Sequence, residues 1–193
     1  MSGTGYRVGV IVGSASEASL NRRLATALER LAGEAGLTFT DIPIAHLPFY
    51  GTQFDRDYPD AGWEFKRAIE DADGLLIVTP EYNRSIPGVL KNAIDWASRP
   101  GGASSFPGKP TAVIGASKGV VSTAVAQAHL KSILVAQGTP LVGVPEAYIR
   151  VGDDFFADDG SVASEGTRSF LTGFLTALHD LIGRWAEPPA SES

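Results

Sequence analysis

Five short, branched, apolar runs alternate with five segments of helical periodicity along this chain, and that alternation admits few folds. Tyr6–Val12 reads as a strand and Ser19–Glu34 as a helix, with Leu20, Leu24, Ala27, Leu28 and Leu31 on one face. Leu37–Ile44 is a second strand and Gly62–Ala72 a second helix. Gly74–Val78, with no polar side chain, has the pattern of a strand covered on both faces. Pro87–Ser98 is the third helix, proline being well suited to a first turn. Lys109–Gly115 and Leu141–Pro145 read as the last two strands, Val120–Gln137 and Glu165–Trp185 as the last two helices. Right-handed crossovers then give an α/β three-layer sandwich, a five-stranded parallel sheet with helices on both faces. The 193 residues suit one domain, expected over 1–186, with 187–193 as a frayed, small and polar tail.

Composition narrows the class. Hydrophobic residues make up 44% and charged residues 20%, ordinary values for a globular protein. A net charge of −6 offers no basic footprint for nucleic acid or anionic membrane. The chain has no cysteine, which removes disulfides, thiolate metal sites and cysteine nucleophiles together. Three scattered histidines make no metal site, and no apolar run reaches the length of a membrane span. The expectation is a soluble cytoplasmic protein that binds neither nucleic acid nor membrane.

In parallel α/β sheets, ligands bind beyond the carboxyl ends of the strands, where strand order reverses. Three loops leave those ends here. The first, GSASEASLN over Gly13–Asn21, crowds Ser14, Ser16, Ser19 and Asn21 at a helix start. Helix capping needs one serine and is worth about 1 kcal/mol. Several hydroxyls at a positive helix end also suit a phosphate, and the residues alone leave both readings open. The second loop, TPEYNRSIP, places Pro80, Glu81, Tyr82 and Asn83 together. A turn before a helix accounts for the prolines, whereas a flat ring edged with N–H and C=O groups would also use the acid, phenol and carboxamide. The third, GASKG over Gly115–Gly119, fits the G-x-S-x-G elbow of serine hydrolases, and acids at Asp153, Asp154, Asp158 and Asp159 precede His179 in the expected order. That motif is short, and in a chain with 22 glycines it arises readily by chance.

Taken together, these segments resemble the NADPH-dependent FMN reductase family of the flavodoxin-like superfamily. Thr79–Pro100 is similar to its central signature, Gly13–Asn21 to its phosphate loop G-S-x-R-x-x-S-x-N, and Ser117-Lys118-Gly119 to its third segment. The resemblance covers about residues 6–180. It implies that Ser14, Ser16, Ser19, Leu20 and Asn21 surround the FMN phosphate. It implies further that Pro80, Glu81, Tyr82 and Asn83 line the isoalloxazine and ribityl region, and that Ser117, Lys118 and Gly119 meet the pyrimidine edge. Hydride would pass from NADPH, or NADH, through flavin N5 to a small acceptor such as a quinone, azo compound, metal oxyanion or free flavin. Relatives of this kind form homodimers or homotetramers, and Val89, Trp96 and the segment after Ser98 are the candidate contacts.

Three departures bear on that reading. Ser16 replaces the phosphate-loop arginine, Ser122-Thr123 a glycine pair, and Val125 a second arginine. Losing a charge-assisted hydrogen bond of roughly 1.5–3 kcal/mol predicts FMN binding about ten- to a hundredfold weaker. Arg22 or Arg23, in the first helical turn, is the expected partial substitute. Lys118 is either a solvated loop lysine or a charge placed near flavin N1 and C2=O. The rival readings are an electron-transfer module similar to flavodoxin, a binding protein that has lost flavin, and the hydrolase built on Ser117.

Overall fold

A computed structural model describes residues 5–186, and the expected tail at 187–193 lies outside the described residues. The chain runs β1 (Tyr6–Val12), α1 (Leu20–Ala32), β2 (Leu37–Asp41), α2 (Asp60–Glu70), β3 (Gly74–Val78), α3 (Gly88–Ala97), β4 (Thr111–Ser117), α4 (Ala124–Ala136), β5 (Ala147–Arg150) and α5 (Glu165–Ala186). The five strands form one parallel sheet in the order β2-β1-β3-β4-β5, the flavodoxin-like arrangement. The order reverses beside β1: α1 carries the chain outward from β1 to β2, and α2 brings it back past β1 to β3.

Each face of the sheet buries its own core. Leu24, Leu28 and Leu31 of α1 and Phe174, Leu175 and Leu178 of α5 pack on one face against Val8, Val10, Leu76 and Ile114. Phe65 and Ile69 of α2, Leu90 and Ile94 of α3 and Leu130 and Leu134 of α4 cover the other, against Ile11, Leu75, Ile77 and Val113. All five residues of β3 are therefore buried, as an apolar run with helices on both sides requires.

The second core holds a cluster not anticipated from the sequence. The Trp96 indole is fully buried beneath Tyr50 and Tyr58, both edge-on to it, and its Nε1 donates to Pro48 O at 2.7 Å. Trp96 thus anchors the long β2–α2 connection within its own chain, which removes it from the candidate subunit contacts. The Lys66 side chain is buried beside this cluster, where its ammonium donates to Ala97 O and Ala103 O and so caps the end of α3. Burial lowers its pKa from the usual lysine value.

Several boundaries differ from expectation: β2 ends at Asp41 and not Ile44, α2 spans Asp60–Glu70 and not Gly62–Ala72, and β4 spans Thr111–Ser117 and not Lys109–Gly115, with the largest differences at β5 and α4. The expected strand Leu141–Pro145 is not one: only Leu141 bridges to Thr111, Val144 is exposed, and Pro145 has no N–H to give a ladder. The edge strand is Ala147–Arg150, paired with Ile114–Ser117, and its burial alternates because one side is wet. Helix α4 starts at Ala124, not Val120, because Ser122 takes a left-handed φ of 51° that interrupts any helix.

Candidate functional site

At the end of β1, Gly13 donates its N–H to Val78 O at 2.8 Å, so the chain stays on the sheet until the loop begins. Ser19 caps α1, its Oγ accepting from Arg22 N at 3.2 Å. Ser14 Oγ accepts from Ser16 N at 3.3 Å, which folds the loop into a tight turn. No acidic residue lies in the first turn of α1, so its positive end is not neutralised from within the helix.

The expected cationic substitutes are committed elsewhere. Arg22 pairs with Asp41 at 2.5 Å, and the Arg23 guanidinium lies 4.3 Å from the centroid of the Phe156 ring. Asn21 is likewise turned inward. Its buried amide donates to Ala116 O at 3.0 Å and accepts from Ala116 N at 2.9 Å. Pairing between β3 and β4 stops at Ile114, so Asn21 takes the place of a strand partner where β3 has turned away.

The second loop is a two-residue hairpin. Tyr82 and Ser85 exchange backbone hydrogen bonds of 2.9 and 3.0 Å, with Asn83 and Arg84 at φ 50° and 64° between them. This is the type I′ geometry, in which asparagine is favoured for conformational reasons. Asn83 is therefore at an exposed tip and does not line the cleft described below. Glu81 reaches in the opposite direction. Its Oε2 accepts from Val125 N at 3.1 Å and Ala126 N at 3.0 Å, and its Oε1 from Arg84 at 3.2 Å. The acid expected at the flavin ring directs its carboxylate to the start of α4, where the helix N-terminus favours negative charge.

The third loop is held from two sides. Ser117 O accepts from Val151 N at 2.9 Å, and Ser117 Oγ accepts from Gly119 N at 3.1 Å. Ser122 Oγ donates to Ile149 O at 2.7 Å, so the residue in the first glycine position of the family pattern ties the loop to β5. Gly115 is needed for a steric reason: a Cβ there would stand 2.1 Å from Thr79 O and 2.5 Å from Thr123 Oγ1. Its absence of a side chain lets the second and third loops meet.

The three loops enclose one cleft of about 250 Å³ at the carboxyl end of the sheet. Ser14, Ser16, Ser19, Leu20 and Asn21 line it from the first loop, Pro80, Glu81 and Tyr82 from the second, Ser117 and Lys118 from the third. Ala18 and Ala116 join them, and an alanine methyl carries no chemical signal in a sequence. Gly119, like Asn83, is outside the lining. His179 is far away, its ring tilted against that of Tyr6 with centroids 5.0 Å apart at the amino end of β1, whereas Ser117 ends β4. Serine and histidine at opposite ends of the sheet exclude the hydrolase triad.

The donor set suits a phosphorylated flavin: hydroxyls and open backbone N–H groups at a helix N-terminus, beside an aromatic and a proline on the second loop. The sequence profile of the family described as NADPH-dependent FMN reductase matches residues 6–153. A 2-hydroxy-1,4-benzoquinone reductase from Burkholderia sp is 47% identical over 169 residues, spanning 88% of this chain and 92% of that protein. A quinone reductase from Pseudomonas putida is 41% identical over 171 residues, spanning 88% and 91%. The solved structure of FerB, a flavoenzyme NAD(P)H:(acceptor) oxidoreductase from Paracoccus denitrificans, superposes with a TM-score of 0.88 at 46% identity over 93% of this chain and 98% of that one. With its flavodoxin-like sheet, its three converging loops and these relatives, the chain belongs to the NADPH-dependent FMN reductase family.

Proposed function

We propose that this protein is an FMN-dependent NAD(P)H:quinone oxidoreductase. The observation that carries the reading is the convergence of the three loops on one cleft at the point where strand order reverses. The names of the two enzyme relatives point to quinones as the acceptor class. When bound, FMN supplies two-electron transfer between a nicotinamide and an acceptor, chemistry that no side chain here can perform.

The chain's own residues bind and orient. Ser14, Ser16, Ser19 and the backbone at Leu20 hold the phosphate at the start of α1. Pro80 and Tyr82 flank the ring, and Ser117 and Lys118 meet its pyrimidine edge. Asn21 and Glu81 act one step back, fixing Ala116 and the second loop against α4. Tyr82 is half exposed and the cleft is open at its mouth, so a ligand held there keeps one face accessible. The sequence carries no second dinucleotide fingerprint, so nicotinamide and quinone use that face in turn. We further place the protein in the cytoplasm as a homodimer or homotetramer of single-domain subunits, with Val89 and the segment after Ser98, both partly exposed, as contact candidates.

The test is an FMN titration of the apoprotein followed by steady-state kinetics with NADPH and a benzoquinone. Saturable flavin binding and parallel double-reciprocal plots are expected. Failure to bind FMN at high-micromolar concentration refutes the flavin reading. Binding without NADPH consumption leaves an electron carrier instead of a reductase.

A further inference from the structure

Only two of the residues lining the cleft carry charge, Glu81 and Lys118. Glu81 is neutralised where it stands, by two α4 N–H groups and Arg84. Lys118 is exposed at the mouth and has no hydrogen bond or ion pair among the described residues. The two arginines that follow the phosphate loop are spent, Arg22 on Asp41 and Arg23 on Phe156, and Arg150 beside Ser117 on β5 lies outside the cleft lining. A single uncommitted cation therefore faces whatever the cleft holds.

We propose that Lys118 sets the reduction potential of the bound flavin, its ammonium favouring the reduced, anionic ring over the oxidised, neutral one. This rests on the reading of the cleft as an FMN site. Two electrons and one proton entering the oxidised ring leave it with one negative charge, carried on the pyrimidine portion. A cation beside that portion stabilises a charge present in only one redox state, so it changes the relative affinity for the two states.

The backbone explains why the ring, and not the phosphate, is the target. Lys118 follows Ser117, whose carbonyl is held by Val151 and whose Oγ is held by Gly119, so the lysine is fixed on the β4 side of the cleft. The phosphate subsite lies on the β1 side, where the α1 N-terminus already supplies positive potential. Along the β4 side, Lys118 is the one charge in the lining.

The experiment compares wild type with Lys118→Met and Lys118→Arg, each loaded with FMN, by redox titration against reference dyes. Dissociation constants of oxidised FMN and riboflavin are measured alongside. Lys118→Met is expected to lose about tenfold in its preference for reduced over oxidised flavin, a fall of about 30 mV for a two-electron couple. Its affinities for oxidised FMN and oxidised riboflavin fall together and by less than those for the reduced forms, and Lys118→Arg keeps the wild-type potential. An unchanged potential with weaker FMN but unaltered riboflavin binding overturns the proposal and assigns the lysine to the phosphate. An unchanged potential with unchanged affinities overturns it in favour of a solvated lysine. A wild-type protein that takes up no FMN refutes the flavin site itself, a result distinct from either.

Discussion

Replacing Asn21 with leucine keeps the volume of a side chain that is 2% exposed and removes both of its hydrogen bonds to Ala116. Two such bonds contribute about 2 kcal/mol net, and stranding the buried N–H and C=O of Ala116 adds a desolvation cost. Water entering from the cleft moderates that cost, which puts the total at about 2–4 kcal/mol. The assay is urea unfolding of flavin-free protein at fixed concentration, comparing midpoints at constant m-value. A loss below about 0.5 kcal/mol refutes the clamp, because surface changes fall in that range. If Asn21 instead served chiefly as a phosphate ligand, the apoprotein would be unaffected and only FMN affinity would fall. Asn21→Asp sharpens the contrast. It keeps the acceptor for Ala116 N but sets a carboxylate oxygen against Ala116 O, so protonation restores a donor. The pKa of that new carboxyl is raised on folding, and the deficit shrinks as pH falls into the carboxylate range.

Three other perturbations test separate parts of the structure. Ser16→Arg restores a cation at the phosphate loop and is expected to tighten FMN about ten- to a hundredfold while leaving riboflavin unchanged, read by parallel titrations; equal gains for both would refute a phosphate contact. Glu81→Gln keeps the shape but removes the charge at the α4 N-terminus and is expected to cost about 1 kcal/mol in thermal or urea unfolding, with Glu81→Ala costing more. The Tyr58 phenol donates to Trp96 O, and its pKa is pushed up to about 12, first by burial and then by Tyr50. Because the folded value is above the unfolded value of 10.0, its contribution is intact below pH 10 and is lost as pH rises towards 12. Tyr58→Phe should accordingly show its full deficit at pH 8 and a shrinking one above pH 10, measured as the difference in unfolding midpoint from wild type.

What the sequence made legible was whatever local pattern specifies. The limits of β1 and β3 coincide with their apolar runs, and α1 starts beside its capping Ser19. The fifth strand was misplaced because the Leu141–Pro145 run is apolar, whereas an edge strand is marked by alternation, and Ala147–Arg150 alternates over only four residues. Ser122 had no detectable turn signal, since serine is not a residue that favours a positive φ.

The cleft shows the same division at the level of single side chains. Its three loops could be found because each bears unusual residues at the end of a strand. The direction of those residues could not be read, because it depends on partners far along the chain. Asn21 turns to Ala116, 95 positions away, and Glu81 to the N–H groups of Val125 and Ala126, 44 and 45 positions away. Both partners are backbone groups, which leave no mark in a residue pattern. A buried polar group must find a partner, so the amide or carboxylate nearest an orphaned backbone group is drawn to it and away from a ligand. The same logic applies to Arg22 and Arg23, whose charge looked available until Asp41 and Phe156 were placed beside them. Candidate ligand residues at such a site therefore divide by whether the fold has already satisfied them. By that criterion Asn21 and Glu81 are architecture, and Lys118, which nothing else engages among the described residues, is the charged side chain left in the lining to act on the ligand.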